Sequence, residues 1–177
     1  MANAAAFKIA SFVVVIGCAL AAGAQAVHVS QGNGSVSLTL SAQKSYELVA
    51  GESKRPTLTV QCSLKGKKNT HLIIFTASGA LAEDSADIAY KSGAINLDVQ
   101  VGGSNQSTSW IPYGDSVTYA YYGKTEPERE KFLQEMLSSP SFSIQFTPFL
   151  TGSTITSTFD LSKLQTELTS HPECLMK

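Results

Sequence analysis

The chain has 177 residues, 43% of them hydrophobic and only 15% charged, with a mean hydropathy of +0.03. That length fits one domain, and so apolar a composition excludes a disordered acidic or basic tail protein. Thirteen Lys and Arg against fourteen Asp and Glu give a net charge of −1, so no basic excess exists to neutralise phosphates and a nucleic-acid partner is disfavoured.

The first element is an address. Lys8 is followed by an apolar run from Ile9 to about Ala22 and then by Ala24-Gln25-Ala26. A basic start, an apolar centre and an A-x-A site make a secretory signal peptide, and the run is short for the roughly 20 residues a membrane span needs. The expected division is a signal peptide over 1–26 and a single exported β-rich domain over 27–177, periplasmic or secreted. Val15-Ile16-Gly17-Cys18 also has the form of a lipobox. Cleavage there would leave Cys18 lipidated and the protein held to a membrane. The apolar stretch continues past Cys18, which favours the cut after Ala26.

Cys62 and Cys174 then remain. Two cysteines in an oxidising compartment are most simply a disulfide, here closing a separation of 112 residues (174 − 62). Neither has a CxxC partner or a histidine at ligand spacing, so a reactive thiol or a metal ligand is the weaker alternative.

Along the exported part, alternation of period two dominates. Val36, Leu38 and Leu40 alternate with serines and threonines, and Leu58, Val60 and Cys62 with Thr57, Thr59 and Gln61. The same pattern holds for Ile95 to Val101, for Val117, Tyr119 and Tyr121, for Phe142, Ile144 and Phe146, and for Ile155 and Phe159. Each predicts a strand with one buried and one wet face. The continuous run Leu72-Ile73-Ile74-Phe75 predicts a central strand covered on both sides. Gly102-Gly103-Ser104 reads as a hairpin turn.

Two segments break the alternation. Thr125-Glu126-Pro127-Glu128 is a capping box with proline in the first turn, and Phe132, Leu133, Met136 and Leu137 share one helical face. A helix over about 126–138 follows. A second is expected from Asp160 as N-cap, with Leu161, Leu164 and Leu168 on one stripe. The fold class is therefore mainly β, an antiparallel sandwich-like or α+β domain with two helices of the C-terminal half packed on the sheet. The disulfide would pin the last helix to it.

Motifs of chemistry are scarce. His28, His71 and His171 form no HxH or HExxH pattern, so no metal and no cofactor is expected. His71 reads as a strand-end residue. There is no G-x-S-x-G elbow, and the chain is not expected to be an enzyme. Glu83, Asp84 and Asp87 form an acidic cluster that reads first as a solvated turn and second as a calcium site. Two surface features stand out. Lys54, Arg55, Lys65, Lys67 and Lys68 flank the Cys62 strand and would meet an anionic polymer or lipid head groups if both loops reached one end. Trp110, Tyr113, Tyr119, Tyr121 and Tyr122 are mostly core, yet any that are exposed would suit recognition of a glycan or protein. The candidate binding surface is accordingly Trp110, Tyr113, Lys65, Lys67 and Lys68.

Taken in order, Pro56-Thr-Leu-Thr-Val-Gln-Cys62, Trp110, Asp115, Thr147-Pro148-Phe149, Thr158-Phe159-Asp160-Leu161 and Cys174 resemble the pattern of a family of small exported bacterial β-rich domains with paired cysteines. Some of its members are described as periplasmic accessory proteins of type VI secretion systems. The resemblance spans about residues 55–174. It implies a Cys62–Cys174 bridge and a structural Trp110, and no catalytic residues. The sequence departs from the pattern in having no tryptophan in Val27–Ser41 and Gly102-Gly103-Ser104-Asn105 in place of an aspartate-rich turn.

The expected function is that of a non-enzymatic exported accessory or binding protein for a protein or cell-envelope component, with service to a secretion apparatus as its most specific form. Membrane attachment is expected only through a lipidated Cys18. The alternative is an inhibitor or immunity protein against a secreted enzyme such as a cell-wall hydrolase, since a rigid small domain loses little entropy on binding.

Overall fold

The computed structural model describes residues 26–32, 34–49, 52–65, 68–77, 94–114, 117–148, 151–171 and 174. The predicted signal peptide up to residue 25, the acidic cluster Glu83, Asp84 and Asp87, and Lys67 lie outside them. Eleven strands and two helices are described: β1 Val27–Gly32, β2 Ser35–Ser41, β3 Tyr46–Val49, β4 Glu52–Lys54, β5 Thr57–Lys65, β6 Lys68–Thr76, β7 Ile95–Val101, β8 Ser104–Pro112, β9 Thr118–Tyr121, α1 Glu126–Leu137, β10 Ser141–Phe146, β11 Ile155–Asp160 and α2 Ser162–Ser170. Among the described residues no helix is long and apolar enough to cross a membrane.

Nine strands make one antiparallel sheet in the order β1-β2-β5-β6-β9-β8-β7-β10-β11, and β3 and β4 form a separate hairpin. The fold is mainly β with both helices in the C-terminal half, as expected. The period-two residues explain why it is one curled sheet. Val36, Leu38 and Leu40 of β2, Leu58, Val60 and Cys62 of β5, Ile95, Leu97, Val99 and Val101 of β7, and Phe142, Ile144 and Phe146 of β10 are all buried. Each of these strands thus turns one apolar face inward, and the sheet must curl to enclose them. The curl brings its far end round: β11 lies against β2, and the Gln43 N–H donates to Thr158 O at 2.8 Å. Rings fill the interior, Phe75 meeting Trp110, Phe146 and Phe159 edge-on at centroid separations of 6.4, 5.1 and 6.5 Å.

The Leu72–Phe75 run behaves as a central strand on one face only. Ile73 and Phe75 are buried, whereas Leu72 and Ile74 on the opposite face are half-buried. On that face Ile74 is followed across the sheet by Ala120 of β9 and Ile111 of β8, and Leu72 is paired with Gln61 of β5.

The capping box of α1 is formed: Glu128 N–H donates to Thr125 Oγ1 at 3.4 Å and Thr125 N–H to Glu128 Oε2 at 3.3 Å. Two otherwise orphan donors are satisfied. Phe132, Leu133 and Met136 go into the core. For α2 the expected cap is displaced by one residue. Leu161, fully buried, occupies the N-cap position without a side-chain bond, and Asp160 before it accepts from Ser162 N–H at 3.0 Å and Ser162 Oγ at 2.7 Å. These bonds, the hydroxyl's above the backbone's, hold the Asp160 carboxyl below its ordinary range. The side-chain amide of Gln165 donates to Leu137 O, tying α2 to the end of α1.

Candidate functional site

The bridge joins Cys62 to Cys174, with 5.1 Å between their Cα atoms and both residues buried. Cys62 lies opposite His71 across β5–β6, and His71 Nε2 is 3.1 Å from Cys174 O. His71 is therefore the fourth residue of a nine-residue strand, on its core-facing side, and not a strand-end residue. Its Nδ1 is buried and without a hydrogen-bond partner among the described residues. Thr70, His71, Glu126, Arg129 and Glu130 line a cavity of only about 30 Å³ beside it. A histidine near carboxylates is the arrangement a general base needs, but this space holds about one water and admits no substrate. The other two histidines are apart from it: His28 is exposed on β1, and His171 ends α2 with Nδ1 3.5 Å from Gln31 Nε2. Among the described residues no three His, Cys, Asp or Glu side chains converge as a metal site.

Trp110 requires a correction. It is completely buried, so it is no part of a binding surface, in line with the reading of the aromatic residues as mostly core. Its indole N–H donates to Thr108 Oγ1 at 2.8 Å, and the Thr108 hydroxyl donates to Leu97 O at 3.1 Å. This relay satisfies the one polar atom of the ring inside the core, a structural arrangement. Tyr121 packs against Trp110 and stacks on Phe132, with ring centroids 4.2 Å apart. Burial first, then the Glu128 and Glu135 carboxylates, raises the Tyr121 hydroxyl above its ordinary pKa, with Arg129 opposing. Tyr119 is buried, while among the described residues Tyr113 and Tyr122 are the large exposed apolar side chains, at 45% and 48%.

The basic residues do not converge. Lys54 and Arg55 precede β5 and Lys65 ends it, so the two groups sit at opposite ends of a strand about 27 Å long. Lys65 and Lys68 are the last backbone pair of the β5–β6 ladder. One basic face spanning both flanks is excluded by this topology.

What sequence reasoning missed is a pair of polar clefts around β8. On the outer face, four strands align their side chains in register: Thr156, Gln145, Asp98 and Ser107 form one row across β11, β10, β7 and β8. A parallel row runs Thr158, Ser143, Gln100, Asn105. Most of these side chains border a trough of about 430 Å³, in which the sole carboxylate among them is Asp98. A second cleft, about 730 Å³, separates the β7–β8 hairpin from α1 and has Ser104, Asn105 and Gln106 facing Lys131, Gln134 and Glu135. Lys131 and Glu135 are 3.7 Å apart across one helical turn, an exposed pair of little energetic consequence. The hairpin is set by Gly102 and Gly103, with φ of +57° and +85°, the two left-handed positions of a two-residue turn. A Cβ on Gly102 would come within 2.9 Å of Ser139 Oγ, so the turn lies close against the end of α1. The outer rows were readable only as polar positions of separate strands; their register assembles them.

Comparison with protein-family models, curated proteins and solved structures finds no match for this chain.

Proposed function

We propose that this chain is an exported, disulfide-braced accessory or binding protein, whose task is to hold a protein or envelope component rather than to transform it. Its most specific form, by the resemblance of residues 55–174, is an accessory of a secretion apparatus. The observation that carries the reading is the buried Cys62–Cys174 bridge, which ties the end of the chain to the sheet. Such a bond persists in an oxidising compartment and not against a reducing cytosol. The start of β1 at Val27 agrees with it: cleavage after Ala26 would remove none of the described strands. The clefts, lined by amides and hydroxyls, suit hydrogen-bonded recognition.

The test is made on the protein expressed with its own N-terminus and recovered by compartment. Periplasmic or medium fractions should hold a chain beginning at Val27 with no alkylatable thiol; a mass starting at an acylated Cys18 would give the membrane-held form instead. Recovery of the full chain from the cytosol with Cys62 and Cys174 both free would overturn the proposal. Crosslinking in the periplasm followed by affinity capture then identifies the partner.

A further inference from the structure

We propose that the open edge of β8 at Asn105 and Ser107 takes up an extended, polar peptide segment of a partner protein as an added strand, with α1 as the opposite wall. This deepens the reading of the chain as a binding protein and rests on it. Two observations carry it.

The first is a mismatch of strand lengths. β8 has nine residues and β9 only four, and they pair only at Trp110, Ile111 and Pro112. The last tie between them is the Tyr122 N–H on Ser109 O at 2.8 Å. Main-chain groups alternate sides along a strand. Ser109 points toward β9, so Ser107 and Asn105 point the same way, beyond the end of β9. Ser104, Gln106 and Thr108 point to β7, where they face Val101, Val99 and Leu97. Among the described residues no strand runs beside the edge at Asn105 and Ser107.

The second observation is that this edge borders a cleft. The space of about 730 Å³ between Ser104–Gln106 and the α1 side chains Lys131, Gln134 and Glu135 lies along it. Asn105 and Gln106 also border the outer trough of about 430 Å³. An edge flanked on both sides by room for side chains meets the requirements of strand addition: main-chain hydrogen bonds give affinity, and alternate side chains give specificity. Side chains of the added strand that turn to the outer trough would meet Ser107, Gln100, Gln145 and Asp98, which match hydroxyl, amide or basic groups. The alternating donors and acceptors of the edge distinguish a peptide from a glycan, which has no such repeat.

The experiment pans a linear 12-residue peptide library displayed on phage against the purified oxidised protein, and titrates the selected peptides into wild type and Ser107→Pro. Proline at 107 removes an N–H that points away from β7, so the β7–β8 ladder stays intact. N-methylation of alternate peptide amides makes the same test from the ligand side, on unaltered protein. The expected result is at least tenfold weaker binding in both cases, and the unmodified peptide should shift the Asn105 and Ser107 amides of wild type. Peptides that bind as well after either change would overturn the edge and leave the binding-protein reading standing. Failure to enrich any peptide over an unrelated folded control would overturn the peptide proposal and leave the exported binding-protein reading to its own test of compartment and thiols. Two other results would also overturn the peptide proposal: a dimer in sedimentation that Ser107→Pro dissociates would give the edge to a second copy, and binding of N-acetylglucosamine tetrasaccharide in the trough without Asn105 or Ser107 shifts would give the surface to a glycan.

Discussion

Opening the Cys62–Cys174 bridge is the sharpest perturbation available. The bond closes a separation of 112 residues, and the chain-entropy model gives it at most about 5 kcal/mol of stabilisation at 25 °C. For the 151 residues from Val27 (177 − 26), with an unfolding entropy of about 2.1 cal/mol/K per residue, that corresponds to a melting temperature lower by up to about 15 °C. Alanine is the better replacement, because serine would bury an unpaired hydroxyl at a position with no exposure. Lost sulfur packing adds about 1 kcal/mol at each site. Cys62→Ala and Cys174→Ala should therefore each cost up to about 6 kcal/mol, and the double variant about 7 rather than 12. Thermal and urea unfolding of the four proteins, with and without reductant, measures this. Reductant should lower wild type to nearly the level of the single variants and leave the variants unmoved. Additive losses, or a wild type indifferent to reductant, would refute the pairing as a source of stability. Hydrogen exchange should also locate the loosening. Release of Cys174 also releases its carbonyl from His71 Nε2, so β6 near His71 and the end of α2 should lose protection first.

Three further outcomes follow from the core and the helix ends. Trp110→Phe should cost about 2 kcal/mol in urea unfolding, through the lost Thr108 hydrogen bond and ring volume, whereas Tyr113→Ala, at an exposed position, should stay within about 0.5 kcal/mol; equal effects would contradict their opposite burial. Thr125→Ala should cost about 1 kcal/mol and raise amide exchange in the first turn of α1, and unchanged exchange would show that the capping box does not hold that turn. Because hydrogen bonds from Ser162 stabilise the charged form of Asp160, their contribution is complete above the unfolded carboxylate pKa of about 4 and is lost as pH falls through the lower folded value. The stability gap between wild type and Asp160→Asn should therefore be open at pH 7 and close under acid; a gap constant down to pH 2 would refute it.

The strands that alternate apolar with polar residues were legible because burial of one face dictates that alternation. Leu38, Val60, Val99 and Ile144 turn inward as their phase requires. β1 was not legible: its short stretch carries just Val27 and Val29, both only partly buried. Nor was the first half of β8. Ser104-Asn105-Gln106-Ser107 is polar on both faces, and its conformation is imposed by the Gly102-Gly103 turn and by pairing with β7. The same cause hid the clefts, since a row such as Gln145–Asp98–Ser107 exists only once the register of β10, β7 and β8 is known. Trp110 was ambiguous for a different reason: an aromatic residue on an isolated strand favours neither face until its N–H is given a partner, which Thr108 supplies two residues away. The separation of the basic groups, by contrast, was already present in the length of β5.

The polarity that hid β8 also bears on how its edge is kept from indiscriminate pairing. A long apolar strand with an open edge invites association with any exposed β segment. Ser104 to Ser107 has no apolar side chain and consists of Ser, Asn and Gln, none of them a strong strand former. Main-chain bonds alone then give a passing strand little, and a partner must also satisfy the side chains of the outer trough or those of α1. The hydroxyl and amide groups of this stretch thus keep its open edge from indiscriminate pairing and set its specificity. Replacing Ser107 by Val should separate the two roles: it strengthens strand propensity without touching the ladder to β7, so self-association at high concentration should rise while selectivity among bound peptides falls. Sedimentation and peptide titration measure the two effects, and unchanged values of both would show that the edge is not a docking strand.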